Sequence, residues 1–190
     1  MKTNDIWSRE ETVVAFYVYC IIPFASSSKT NPIVIDYANM IGRSSSTFNM
    51  KIGNIGRLDP ELKKKDITDL THGAKMEELV WNEFNSDREK LVYETEKIIE
   101  KLTNKSVENI YLQPEELNYS SQDKAKLVKT RINQNFFRSS VLSAYNNACV
   151  ITRIKINEFL VASHIKPWVK DENNRLNPHN GEYVSIQFMI

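Results

Sequence analysis

Residues 160–190 read LVASHIKPWVKDENNRLNPHNGEYVSIQFMI. A short apolar run delivers His164, "KPW" follows at once, and the pair Asn180–Gly181 begins 16 positions after the histidine. The β-rich run "NEFLVASHI" predicts a strand ending at His164, because Pro167 has no N–H to donate to a ladder. A second such run, "ACVITRI", lies just upstream across a short polar connection, which predicts a hairpin between the two. Before it, "VKTRINQNFFRSSVLSAYNN" places Phe137, Val141, Ala144 and Tyr145 at i, i+4, i+7 and i+8, one face of a helix. Arg131, Gln134 and Arg138 are the polar members of that helix. After Gly181, "EYVSIQFMI" is a poor helix former.

The first 60 residues predict three short helices. Ser8 with Glu11 three positions on is a capping box ahead of the apolar run "VVAFYVYC", and Pro23 stops that helix. Asn31 caps the second helix, Pro32 sits at its first position, and Gly42 ends it. The serines of "RSSSTFNMKIGNIGRL" open the third, with Phe48, Ile52 and Ile55 on its buried stripe. Thr47, Lys51 and Asn54 form the opposite stripe. A tight turn between the second and third helices matches the helix-turn-helix arrangement, whose last helix offers polar side chains to base edges. Thr47, Lys51 and Asn54 suit that task, with Arg43 and Arg57 available for phosphates.

Residues 61–75 are a charged connection, in which His72 beside Gly73 reads as a turn or cap residue. From Met76 to Leu102 a helical stripe runs through Val80, Phe84, Leu91 and Ile98, with "NSDRE" as a break point and Trp81 as a core or interface anchor. Residues 103–124 read as a polar linker.

The chain has 190 residues, 41% hydrophobic and 26% charged, the composition of an ordinary globular protein. No apolar run reaches the roughly 18 residues that cross a bilayer, and the N-terminus lacks the pattern of a signal peptide. The expected compartment is cytoplasmic. Cys20 and Cys149 are 129 positions apart and in no CxxC pair, which argues against a zinc ribbon or a disulfide. The net charge of +1 is unevenly spread. Residues 120–190 carry ten Lys/Arg against five Asp/Glu, a net of +5, whereas residues 61–119 carry nine against fourteen. A basic end beside an acidic middle points to an anionic partner.

Residues 131–181 resemble the HNH endonucleases, in particular a restriction-type branch. They share its R-x-x-Q-x-x-F-R helix, its C-x-I-T strand, its A-x-H-I-x-P-W strand end and its N-P-x-N-G. The resemblance implies a ββα-metal fold in which two strands and a helix grip one divalent cation, Mg²⁺ or Mn²⁺. The implied activity is hydrolysis of double-stranded DNA, linked to restriction of foreign DNA. His164 then takes the place of the general base, for which an imidazole titrating near neutrality is suited. Asn180 stands where the family supports the strand, the histidine or the metal. Arg131, Gln134 and Arg138 would face DNA or brace the site, and palindromic targets would favour a homodimer.

Two departures accompany this resemblance. Ser163 stands where many members carry a metal-ligating acid or histidine. The family also continues past its Asn-Gly into a helix bearing a last ligand, where this chain has Phe188; His179 is then a substitute ligand beside Asn180. The expected architecture is α+β, mostly α. Residues 1–72 form a helix-turn-helix-like domain, 73–125 a long helix and linker, and 126–190 an HNH module lacking its final helix. The alternative to an active nuclease is a truncated, inactive, DNA-binding derivative.

Overall fold

A computed structural model describes residues 6–67 and 73–185. The readings of His72 and Phe188 therefore lie outside the described residues. Among the described residues there are eight α-helices and one two-stranded antiparallel sheet, so the protein is mostly helical with a small β element. None of these helices is long and apolar enough to cross a membrane. The chain divides into two compact units, residues 1–87 and 88–190.

In the first unit, α1 (Arg9–Ile21) is the central helix. Every residue from Glu11 to Val18 is buried, as expected of a helix apolar on all sides. Its capping box forms as the sequence predicts: the Ser8 hydroxyl accepts from the Glu11 N–H, and the Glu11 carboxylate accepts from the Ser8 N–H. Around α1 pack α2 (Pro32–Met40), α3 (Ser45–Gly56) and α5 (Lys75–Phe84), while the short α4 (Pro60–Lys64) follows α3. The end of α2 is a Schellman motif. Gly42 adopts φ +74°, the Arg43 N–H reaches the Ala38 carbonyl, and the Gly42 N–H reaches that of Asn39. Phe48, Ile52 and Ile55 of α3 are buried as their spacing implies. Trp81 belongs to the core, with its ring 5.1 Å from that of Phe16.

The helical stripe expected over Met76–Leu102 breaks at residues 85–87 into α5 and α6 (Arg88–Thr103), which fall in different units. In the second unit α6 packs on α8 (Ser121–Ala144), and α7 (Val107–Tyr111) packs on both. Within residues 103–124, expected as a linker, α7 packs on α8 and residues 121–124 form the first turn of α8 itself. Leu112 is buried, and the Arg131 guanidinium clasps Glu116 at 2.5 and 2.8 Å while also donating to the Tyr111 carbonyl. That fork-to-carboxylate geometry holds the segment in place.

The strand pairing also differs from expectation. Strand β1 (Leu160–His164) pairs antiparallel with β2 (Gly181–Ser185), and His164 faces Gly181 in the register. "ACVITRI" forms no strand. Asn146 and Asn147 take left-handed φ values of 52° and 55° and end α8. The chain then closes a tight loop, with the Cys149 N–H on the Ile154 carbonyl, the Arg153 N–H on the Cys149 carbonyl, and Arg153 at φ 63°. Those turn hydrogen bonds use the backbone groups a ladder would need. Neither cysteine forms a disulfide among the described residues; Cys149 is buried and Cys20 half-buried.

Candidate functional site

Residues 165–180 form a loop that leaves and re-enters the sheet at the His164–Gly181 pair. This loop and the underlying face of α8 define the surroundings of His164. The imidazole lies flat on the Phe137 ring, with centroids 3.7 Å apart and planes 6° from parallel. Trp168 meets it edge-on at 5.4 Å. The ring is half-buried. Its Nε2 lies 2.8 Å from the Arg175 carbonyl oxygen. A carbonyl only accepts, so Nε2 carries the hydrogen, and the neutral ring keeps its lone pair on Nδ1. Nδ1 has no hydrogen-bond partner among the described residues. A lone pair held in a fixed direction and unspent on the protein is what a general base requires.

Asn180 locks the loop. It is 7% exposed, its Oδ1 accepts from the Lys166 N–H at 2.9 Å, and its Nδ2 donates to the carbonyls of Lys166 and Asn174 at 3.3 Å each. Its own carbonyl accepts from the Ile165 N–H. Both strands of the loop's neck are thus tied together one and two residues beyond His164. The sequence allowed Asn180 to support the strand, the histidine or a metal; its geometry is that of a positioning residue.

Gly181 is required for close approach. A Cβ there would lie 2.5 Å from Val141 Cγ2 and 2.7 Å from Phe137 Cζ, so β2 rests directly on α8. The Tyr145 hydroxyl donates to the Gly181 carbonyl. Arg138 extends the same seam, donating to the carbonyls of Leu160 and Asn157 at 2.6 and 2.8 Å. Of the three polar residues expected on this helix, Arg131 and Arg138 are therefore engaged in bracing, and Gln134 alone is exposed. Glu116 is held below the usual carboxylate range by the Arg131 hydrogen bonds and by the Gln113 N–H.

The polar stripe of α3 is placed differently from the sequence reading. Lys51 is 6% exposed, and its ammonium lies 2.5 Å from the carboxylate of Glu77, a wholly buried residue of α5. Asn54 donates to the same carboxylate at 3.4 Å. Arg43 is buried against Glu11, and the Trp7 ring lies 4.9 Å from both Arg43 and Lys51. Thr47 is exposed and serves the N-terminal cap of α3 with Ser44. Lys51 and Asn54 are thus turned to α5, and Thr47 alone of the stripe is exposed. An amphipathic pattern identifies a polar side, but cannot tell solvent from a buried carboxylate.

Among the described residues no group of three or more His, Cys, Asp or Glu side chains could hold a metal ion. The Asn180 amide is engaged on both sides by backbone, and His179 is exposed. The described residues around His164 include no such group for a divalent cation.

Phe137, Trp168 and Arg175 were not singled out from the sequence for this site. Phe137 and Trp168 stand in the motifs R-x-x-Q-x-x-F-R and A-x-H-I-x-P-W, but neither was given a role beside His164. Arg175 acts on His164 through a main-chain oxygen, which has no side-chain signature. No family model, curated protein or solved structure matches the chain.

Proposed function

We propose that the second unit is the working end of an HNH-type endonuclease that hydrolyses phosphodiester bonds in double-stranded DNA, with His164 as general base. The observation that carries this reading is the imidazole itself, whose Nε2–H is held by the Arg175 carbonyl and whose Nδ1 is left unspent. Water attacks phosphorus, Nδ1 takes its proton, and the P–O bond to the departing sugar oxygen breaks, that oxygen being protonated from solvent. The Arg175 carbonyl then faces an imidazolium and stabilises it. Phe137 and Trp168 keep the ring from turning, while Asn180 holds the backbone that follows it. The net +5 of residues 120–190 supports an anionic substrate. Gln134 is the helix residue left to meet it.

A second reading is favoured by the lack of a metal-holding group among the described residues: the same surface binds DNA without cutting it. Incubating the protein with plasmid and Mg²⁺ or Mn²⁺, beside His164→Ala, separates the two. Cutting that disappears in the variant supports the nuclease. Cutting that survives in it removes His164 from the chemistry, and salt-sensitive binding without cutting supports the second reading.

A further inference from the structure

The loop that leaves His164 carries apolar side chains turned outward. Val169 is 82% exposed and Ile165 57%, with Pro167 exposed between them. Lys166 and Lys170 stand on either side of Pro167–Val169. Lys170 makes no ion pair among the described residues, and Lys166 reaches only Asp171, at 3.5 Å. Glu172, the other nearby acid, is paired with Arg175.

This outward tip is held rigid. The Lys170 N–H bonds the Pro167 carbonyl and closes a four-residue turn with Val169 at its third position. The Trp168 carbonyl accepts from Arg175 Nε at 2.8 Å, and the Arg175 guanidinium lies 5.3 Å from the Trp168 ring centroid. Asn180 fixes both backbone groups of Lys166. A preorganised turn loses little entropy when it enters a partner. Apolar side chains flanked by lysines match the devices that proteins insert between base steps from the minor groove, where cations hold the phosphates on either side.

We propose that the turn Pro167–Lys170 is a DNA wedge, in which Val169 enters the minor groove and unstacks a base step while Lys166 and Lys170 contact the flanking phosphates. This rests on the reading that the unit binds DNA, but not on His164 performing catalysis. The test is permanganate oxidation of plasmid thymines at saturating protein, with EDTA present to prevent cutting. New reactive thymines are expected with the wild type and with His164→Ala. With Val169→Ala they should fall at least about tenfold, while affinity stays within about threefold because phosphate contacts dominate it. Saturating binding without new reactive thymines, equal reactivity with Val169→Ala, or no binding to duplex DNA at low salt overturns the wedge. So does Val169-dependent self-association in sedimentation without DNA, which would make the tip a contact between copies. Absence of cleavage by the wild type with Mg²⁺ or Mn²⁺, with unstacking retained, overturns only the nuclease reading.

Discussion

The imidazole of His164 and the ring of Phe137 are stacked face to face, 3.7 Å between centroids and 6° from parallel. One comes from the end of β1 and the other from the middle of α8, so the sheet and the helix meet at the candidate base. Phe137 also underlies Gly181, the strand residue opposite His164.

Gly181→Ala should therefore disturb more than a turn. Its Cβ would overlap Val141 and Phe137, both buried in the packed face of α8. Overpacking of this kind costs about 1–3 kcal/mol. We expect a lower denaturation midpoint for the second unit and loss of the close aromatic shift of His164 in NMR spectra. An unchanged midpoint would contradict the close seating of β2.

Asn180→Asp preserves shape but replaces a donor with an oxygen facing two carbonyls, those of Lys166 and Asn174. The Lys166 N–H keeps its acceptor. A buried group left without its bond costs about 1–3 kcal/mol. Hydrogen exchange at Ile165 and Lys166 should accelerate while that in α6 stays unchanged. Uniform exchange across the unit would show that Asn180 stabilises the whole rather than the loop.

Lys51→Ala tests the revised place of the α3 stripe. Removing the cation leaves Glu77 buried with the Ala74 N–H, Asn54 and the more distant Arg57 as its remaining partners. Breaking one side of a buried pair costs about 3–5 kcal/mol, so the first unit should melt well below the wild type. A stable variant with weakened DNA binding would restore the outward-facing reading.

Two carboxylates of α6 give opposite pH signatures. Burial pushes Glu96 above the usual carboxylate range, against the pull of the Tyr111 hydroxyl. Its folded form then binds the proton more tightly than the unfolded chain, so its contribution to stability falls as pH rises through that range. Burial also pushes Glu89 upward, but the hydrogen bonds from Lys129 and Asn133 and the charges of Lys129 and Arg175 outweigh it and leave it lowered. Its contribution is present above the ordinary range and is lost on acidification. Glu96→Gln keeps an acceptor for Tyr111, so we expect greater stability at neutral pH and a difference from wild type that vanishes in acid. Denaturant titrations across pH measure it, and equal stability at all pH values would refute the assignment.

The helices were readable wherever local chemistry sets them. Ser8, Glu11, Asn31, Pro32 and Gly42 each perform the capping or terminating task their residue types imply. The sheet was half readable: His164 does end a strand, but its partner is β2 and not residues 148–154. Pairing is a long-range choice, and β-rich composition in "ACVITRI" does not reveal the left-handed Arg153 that closes that segment on itself. The linker reading did not show α7, because contacts that order it, Arg131 with Glu116 and with the Tyr111 carbonyl among them, come from a distant helix while its own composition is polar. At the site, His164 and Asn180 were visible as side chains. The carbonyl of Arg175 and the flat support of Phe137 emerge only from the folded backbone.

The most direct test is the protonation pattern of the His164 ring, read from long-range ¹H–¹⁵N correlations at a pH where the ring is neutral. We predict hydrogen on Nε2 and an unprotonated Nδ1 in the wild type. A ring carrying its hydrogen on Nδ1, or one exchanging freely between tautomers, would contradict the Arg175 anchor and the role of His164 as a poised base.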